Sequence, residues 1–290
     1  MGALLRGVRV TVLAAFAIFF VAPLLWLVLA PTKSDSELVS RGPFTFGSLH
    51  HVASAWHHLN SFSDHIYLTW IGNSLLYAIS ATAIVLVTAI PAGYSLALGD
   101  FPGRRLILTM TLVVMMMPAA ALVLPIFLEL NSLHLIGSVF AVILPFSFFP
   151  FGVNLAYIYY TTALPRELLD AARVDGCGEL ATFRHIALPL AKPVVALVLF
   201  FSFVSDWNNF FLPYTVLGDS RQYPIQVGLS TLLSSTPSFN PAVGGGGQQV
   251  GIFRPELALA TLLAVVPVAI VFMLSQRSLV RGLVGGGVKE

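Results

Sequence analysis

The stretch SDWNNFF (205–211) places one carboxyl and two amides inside an otherwise apolar run. An acid at membrane depth costs at least ~2.5–3.5 kcal/mol, so Asp206 needs a hydrogen-bonding partner or a polar path to face. Two uses are open. Asp206, Asn208 and Asn209 can line a route for a polar solute, with Trp207 as a stacking surface for a sugar ring. Alternatively they tie their helix to its neighbours by hydrogen bonds, with Trp207 as a packing anchor. Asn73 and Ser74, near the start of another apolar run, are weaker candidates for the same work.

Five of the seven histidines crowd into 50–65, including HHVASAWHH (50–58). A metal site on one helix needs ligands three or four residues apart, on adjacent turns. These pairs are seven or eight apart, roughly 10–12 Å along a helix. A solvated helix is the plain reading and a metal role the lesser alternative. No nucleophile, base and orienting group can be assembled into a catalytic set, and no HExxH is present. Gly244–Gly247 lack the following Lys-Ser/Thr of a phosphate loop and read as a linker.

A third polar feature is longer. Residues 167–193, ELLDAARVDGCGELATFRHIALPLAKP, carry seven charges in a chain with only 10% charged residues. Pro165 suits a first helical turn and Glu167 suits its positive end. Leu168, Ala171 and Ala172 share a helical face with Leu164 just before them. Gly176 breaks that helix. A second helix follows from about Gly178, with Leu180, Phe183 and Ala187 on one side, until Pro189 and Pro193 end it. The product is a helix–glycine–helix projection with one apolar edge. Such an edge either packs on its own bundle or docks into a partner's groove.

The elements that must hold these groups are membrane helices. With 57% hydrophobic residues and a mean hydropathy of +0.87, the chain has too little polar surface to cover a soluble globule. Runs of about 20 apolar residues match a hydrocarbon core of roughly 30 Å. Six such runs lie at about 9–30, 70–97, 106–128, 135–160, 194–216 and 256–276. The expected architecture is all-α, a polytopic bundle forming a single transmembrane domain over 1–290. Prolines 91, 118, 125, 145 and 150 fall inside runs and predict kinks, tolerated where neighbours or a water-lined cavity satisfy the freed carbonyls.

Six spans put both termini on one side, with the loop 161–192 and the tail 277–290. That side holds 11 of the 15 basic residues, leaving Lys33, Arg41, Arg221 and Arg254 opposite. The positive-inside rule therefore places both termini in the cytoplasm of a multi-pass protein of the cell (inner) membrane. The first apolar run exceeds a signal-peptide core and is expected to be retained. The single cysteine, Cys177, allows no intrachain disulfide.

The pattern DAAxxDGxxxxxxFxxIxLPxxxP, from Asp170 to Pro193, resembles the "EAA" loop of permease subunits in ATP-binding-cassette (ABC) importers. WNNFFLP (207–213), YPIQVGL (223–229) and QRSLVRGLVGGGVKE (276–290) are similar to carbohydrate-importer permeases of the maltose-transporter type. The resemblance covers nearly the whole chain. It departs at Asp170, where Glu is usual, at Cys177, where Ala is common, at Gly287 and Glu290, and in the GGGG-bearing loop.

The resemblance implies a type I ABC importer permease fold, and a chain that moves a sugar or sugar derivative delivered by an extracytoplasmic solute-binding protein. It implies a second homologous permease and two ABC ATPase subunits as partners within the lipid bilayer, and no nucleic acid. ATP and Mg would be bound by the ATPase subunits; this chain would hold no cofactor and do no catalysis. Glu167, Leu168, Asp170, Ala171, Ala172, Asp175, Gly176, Phe183, Leu188 and Pro189 would couple to the ATPase, and Gly282, Gly286 and Lys289 would touch it from the tail. Asn73 and 206–209 would flank the substrate path. The alternative is an ion-coupled secondary transporter of a small polar solute, which such folds usually signal by internal repeats and several intramembrane ion ligands.

Overall fold

The computed structural model describes residues 2–240 and 251–285, with side chains for 5–240 and 251–276. Regular structure among the described residues is helical. The helices are α1 (Gly2–Leu29), α2 (Asp35–Ser40), α3 (Leu49–Ser61), α4 (Ile66–Leu98), α5 (Arg104–Met116), α6 (Ala119–Ser132), α7 (Phe140–Phe146) and α8 (Pro150–Thr162). They continue with α9 (Arg166–Val174), α10 (Glu179–Thr182), a π-helical turn (Phe183–Ala187), α11 (Leu188–Leu190), α12 (Lys192–Trp207), α13 (Phe211–Val216), α14 (Ile225–Ser234) and α15 (Arg254–Gly285).

Four helical stretches are long and apolar enough to cross a membrane: Leu5–Thr32, Ile66–Leu98, Phe140–Thr162 and Arg254–Gln276. The count reaches six when each of two bent pairs serves as one span. α5 and α6 meet at 110°, and Glu179–Leu190 meets Lys192–Trp207 at 76°. The third expected span is therefore broken rather than straight. Met117 precedes Pro118 and is extended (φ −75°, ψ 131°), because the proline ring excludes the helical region for the residue before it.

The fifth expected span, 194–216, is also interrupted, between Trp207 and Phe211. Pro193 opens its helix instead of ending the previous one. In a first turn its missing N–H is no loss. Pro189 likewise lies within the run rather than at its end. The turn before it is widened, with the Leu188 N–H bonded to the Phe183 carbonyl, which eases the proline ring past the preceding turn.

Contacts divide the chain into two compact units. The first comprises Met1–Trp70 and Gly228–Val266. In it α2 begins with a reciprocal cap, Ser34 accepting from the Glu37 N–H while Glu37 accepts from the Ser34 N–H. The Ser34 hydrogen bond holds the Glu37 carboxyl below its usual pKa. Arg254 donates to both Asp35 oxygens at 2.8 and 2.9 Å, and the buried Lys33 donates to the Gly42 and Pro43 carbonyls. Four of the five clustered histidines lie on the helix α3, and His65 stands beyond its end. His51 lies 3.1 Å from the Thr32 carbonyl and His58 lies 3.2 Å from Glu256, so both serve as ties. Among the described residues no three His, Cys, Asp or Glu side chains converge on a metal position.

The second unit comprises Ile71–Val227 and Pro267–Glu290. One core gathers Ile90 and Tyr94 of α4, Ala156 and Tyr160 of α8, and Val194 and Val198 of α12. A neighbouring core gathers Tyr77 and Ala81 of α4 with Leu130, Val142, Phe146 and Leu212. Gly93 and Gly152 are the close-approach positions. A Cβ at Gly152 would stand 2.8 Å from the Phe149 ring, and one at Gly93 would collide with Ala156.

Candidate functional site

Three backbone breaks of the second unit surround one cavity of about 690 Å³. The α5–α6 break contributes Met115, Met117 and Ala119. The α7–α8 break contributes Phe148 and Phe149, and the α12–α13 break contributes Asn208 to Phe210. Each break follows from local chemistry. Phe149 precedes Pro150 and is likewise kept out of the helical region (φ −127°, ψ 78°), as Met117 is before Pro118. At the third, the Asn209 side chain accepts from the Leu212 N–H and so starts α13 anew.

The breaks lie at one level. α5 and α8 have 13 residues each and α12 has 16 on the side of the basic loops, equivalent to roughly 20–24 Å of helix. Irregular backbone at such depth is stable where it faces protein or a polar cavity.

Asp206 is buried and reaches the cavity. The Ser202 hydroxyl donates to its Oδ2 at 3.4 Å, and the Thr82 hydroxyl of α4 donates to Ser202 at 3.4 Å. Ser205, Asn208 and Asn209 share the lining, and the Asn208 amide also donates to the Val204 carbonyl at 2.9 Å. Of the five polar candidates, the structure thus brings Asp206, Asn208 and Asn209 together.

Trp207 is buried, stacked on Phe203 with ring centres 5.6 Å apart, which is the packing alternative. Asn73 is used elsewhere, donating to the Arg221 and Tyr223 carbonyls at 2.7 and 3.1 Å. Its neighbour Ser74 accepts from the Ile225 N–H at 2.7 Å. The relay residues Ser202 and Thr82 were not anticipated. Ser202 was visible as the i−4 neighbour of Asp206 on one helical face, whereas nothing in the sequence pointed to Thr82.

The second candidate region is the projection 163–191. Pro165 stands just before α9 in an extended conformation, not within its first turn. α9 ends in a Schellman turn: the Cys177 N–H bonds to the Ala172 carbonyl, the Gly176 N–H bonds to that of Arg173, and Gly176 takes φ +82°. The buried side of α9 is Leu169 and Ala172, with Leu169 in one core with Leu164, so Leu168 and Ala171 do not share the buried face as expected. Phe183 and Ala187 continue this seat, and Phe183 lies 5.0 Å from the Tyr94 ring.

The remaining edge is open. Glu167, Leu168, Asp170, Ala171, Asp175 and Gly176 are exposed, as are Leu188 and Pro189. Val174 is 87% exposed and Leu180 79%, so Leu180 does not join Phe183 and Ala187 on the packed side. Arg173 pairs with Asp170 at 3.4 Å and with Glu179 at 3.0 Å, and the Tyr94 hydroxyl donates to Glu179 at 3.4 Å. Of the tail candidates, Gly282 lies in α15, while Gly286, Lys289 and the Gly244–Gly247 loop fall outside the described residues.

Residues 89–285 match the family described as "Binding-protein-dependent transport system inner membrane component". The arabinooligosaccharides transport system permease protein AraQ of Bacillus subtilis (strain 168) is 34% identical over 274 residues, covering 94% of this chain and 92% of that protein. The diacetylchitobiose uptake system permease protein NgcG of Streptomyces coelicolor is 28% identical, over 91% of this chain and 83% of that one. The lactose transport system permease protein LacG of Rhizobium radiobacter is 29% identical, over 96% and 94%. A crystal structure of a bacterial ABC transporter involved in the import of the acidic polysaccharide alginate contains a chain with the same fold. Its TM-score is 0.79 at 21% identity, over 95% of this chain and 96% of that one. With its broken spans, seated projection and match across most of its length, the chain belongs to the binding-protein-dependent transport system inner membrane components, as a non-catalytic permease subunit with the ABC importer fold.

Proposed function

We propose that this chain is one of two related permeases in an ATP-driven importer of a sugar or sugar derivative. An extracytoplasmic binding protein delivers the cargo. Two ATPase subunits bind ATP and Mg on the cytoplasmic side, where both termini of this chain lie. The relatives named for arabinooligosaccharides, diacetylchitobiose and lactose support the cargo class.

One observation carries the coupling reading. The projection is seated on its own bundle through Leu169, Ala172, Phe183 and Ala187, and leaves Leu168, Ala171, Val174 and Leu180 uncovered. An apolar edge beside exposed carboxylates is a surface for a protein groove. Because its opposite face is packed on Tyr94 and Tyr160, displacement of the edge moves α4 and α8 as a rigid element. The Gly282–Lys289 tail is a second contact to the ATPase. The cavity around Asp206, Asn208 and Asn209 is this subunit's share of the path. The ion-coupled alternative gains no support, since the cavity lining holds only one carboxylate.

The test is co-purification from the native membrane. The chain should bring down an ATPase whose turnover rises when cargo-loaded binding protein is added. Uptake driven by a proton or sodium gradient through this chain alone would overturn the reading.

A further inference from the structure

Arg173 and Glu179, both at variable positions of the motif that marks the projection, join its two helices. Arg173 closes α9, and its guanidinium reaches Asp170 on the same helix and Glu179 at the start of α10. Glu179 in turn accepts from Tyr94, whose ring packs on Tyr160 and Phe183. Between the helices the backbone has little else to restrain it. Gly176 and Gly178 flank Cys177, and a Cβ built at either glycine would meet nothing within 4 Å. The Schellman bonds end α9 but do not reach α10. Beside the apolar seat that Leu169 and Phe183 share, the polar link across the corner is the ion pair.

We propose that Arg173 is a positioning residue: by bridging Asp170 and Glu179 over the Gly176 corner, and through Glu179 to Tyr94, it makes α9, α10 and α4 move together. A push on the exposed edge then reaches the span instead of being absorbed by the corner. This rests on the coupling reading above. Exposed ion pairs add little to fold stability, so removing this one should leave insertion and melting unchanged while loosening the corner. The pair is also open to salt screening, which gives it a signature that packing lacks.

Cys177 is the single cysteine, exposed within the corner, and provides the probe. The full chain in lipid nanodiscs is labelled there with a nitroxide. Arg173→Gln and Glu179→Gln are each expected to raise the mobile spectral fraction at least twofold. The double variant should equal either single one, because the two groups act as a unit. Raising salt from about 0.05 to 1 M should mobilise the wild-type label and leave Arg173→Gln unchanged. Unaltered mobility in the single variants, or strictly additive effects, would overturn the brace.

Transmission is read separately in the assembled complex, using Phe210→Cys in a Cys177→Ser background and an impermeant maleimide. ATP should change the labelling rate of this cavity position, and Arg173→Gln should at least halve that change. An undiminished change rules out the role in transmission. Protection of Cys177 from maleimide by the ATPase subunit tests the coupling reading itself. Its failure would remove that reading, while the nitroxide result would still decide whether Arg173 holds the corner.

Discussion

Gly93 of α4 crosses Ala156 of α8 with no room for a side chain between them, and a Cβ at 93 would also stand 2.8 Å from the Tyr157 backbone nitrogen. The two helices that carry the seat of the projection are thus in backbone contact. Gly93→Val should force them apart, at a cost of about 1–3 kcal/mol from overpacking. The check is thermal melting in detergent, where the variant should unfold several degrees earlier. An unchanged melting curve would show that the crossing tolerates displacement.

Ala172 and Gly176 should both be intolerant, for different reasons. Ala172 is buried against the chain's own core, so Ala172→Glu places a carboxylate where nothing can pair it and unseats α9. Gly176 stands in open space at φ +82°, so Gly176→Val costs about 1–2 kcal/mol of backbone strain without a clash. Both variants should insert into the membrane and lose sugar uptake. Normal transport in both would remove the projection from the coupling path.

Leu168 and Leu180 lie on the uncovered edge. The double variant Leu168→Ala, Leu180→Ala should melt like the wild type yet bind the ATPase about tenfold more weakly, a loss of about 1.4 kcal/mol. A pull-down titration measures it. Unchanged binding would place the docking surface elsewhere.

Asp206 and Asn73 should separate by phenotype. Asp206→Ala removes the carboxyl of the cavity and should cut uptake of the cargo on its binding protein at least tenfold, with the chain still folded. Asn73→Ala deletes two bonds to backbone carbonyls and should cost about 1–2 kcal/mol of stability, with uptake preserved at low temperature. The reverse pattern would exchange their roles.

The depressed carboxyl of Glu37 predicts a pH response of α2. Its folded-state pKa lies below the unfolded one, so its contribution is present above the usual carboxylate range and fades as pH falls through the folded value. The protection of the Ser34 and Glu37 amides relative to their intrinsic exchange rates should fall at acid pH, and Glu37→Gln should lose that pH dependence.

Much of the architecture was legible because it is a property of composition. Six apolar runs, the basic asymmetry and the helix–glycine–helix pattern are solvent preferences written along the chain. Gly176 was readable as a helix stop because glycine at positive φ ends helices by a local rule. The breaks at Pro118 and Pro150 were half legible: proline announces a kink, but not its angle. The interruption after Trp207 was missed because no proline or glycine marks it and its amides read as lining or ties, while the Asn209 side chain captures a backbone N–H and restarts the helix.

The amino-acid order by itself determined that this chain enters a membrane, that its middle is an exposed-looking helical corner, and that one carboxyl must be accommodated at depth. Only the tertiary structure decided which side of α9 is packed and which is free, and that Asn73 serves the backbone while Asp206 faces a cavity. It also brought three breaks to one level around that cavity. Periodicity is one-dimensional and records which residues prefer to leave water. Partnership between Thr82 and Ser202, or between Arg173, Glu179 and Tyr94, depends on where distant helices cross, and that is set by the packing of small residues such as Gly93 and Ala156.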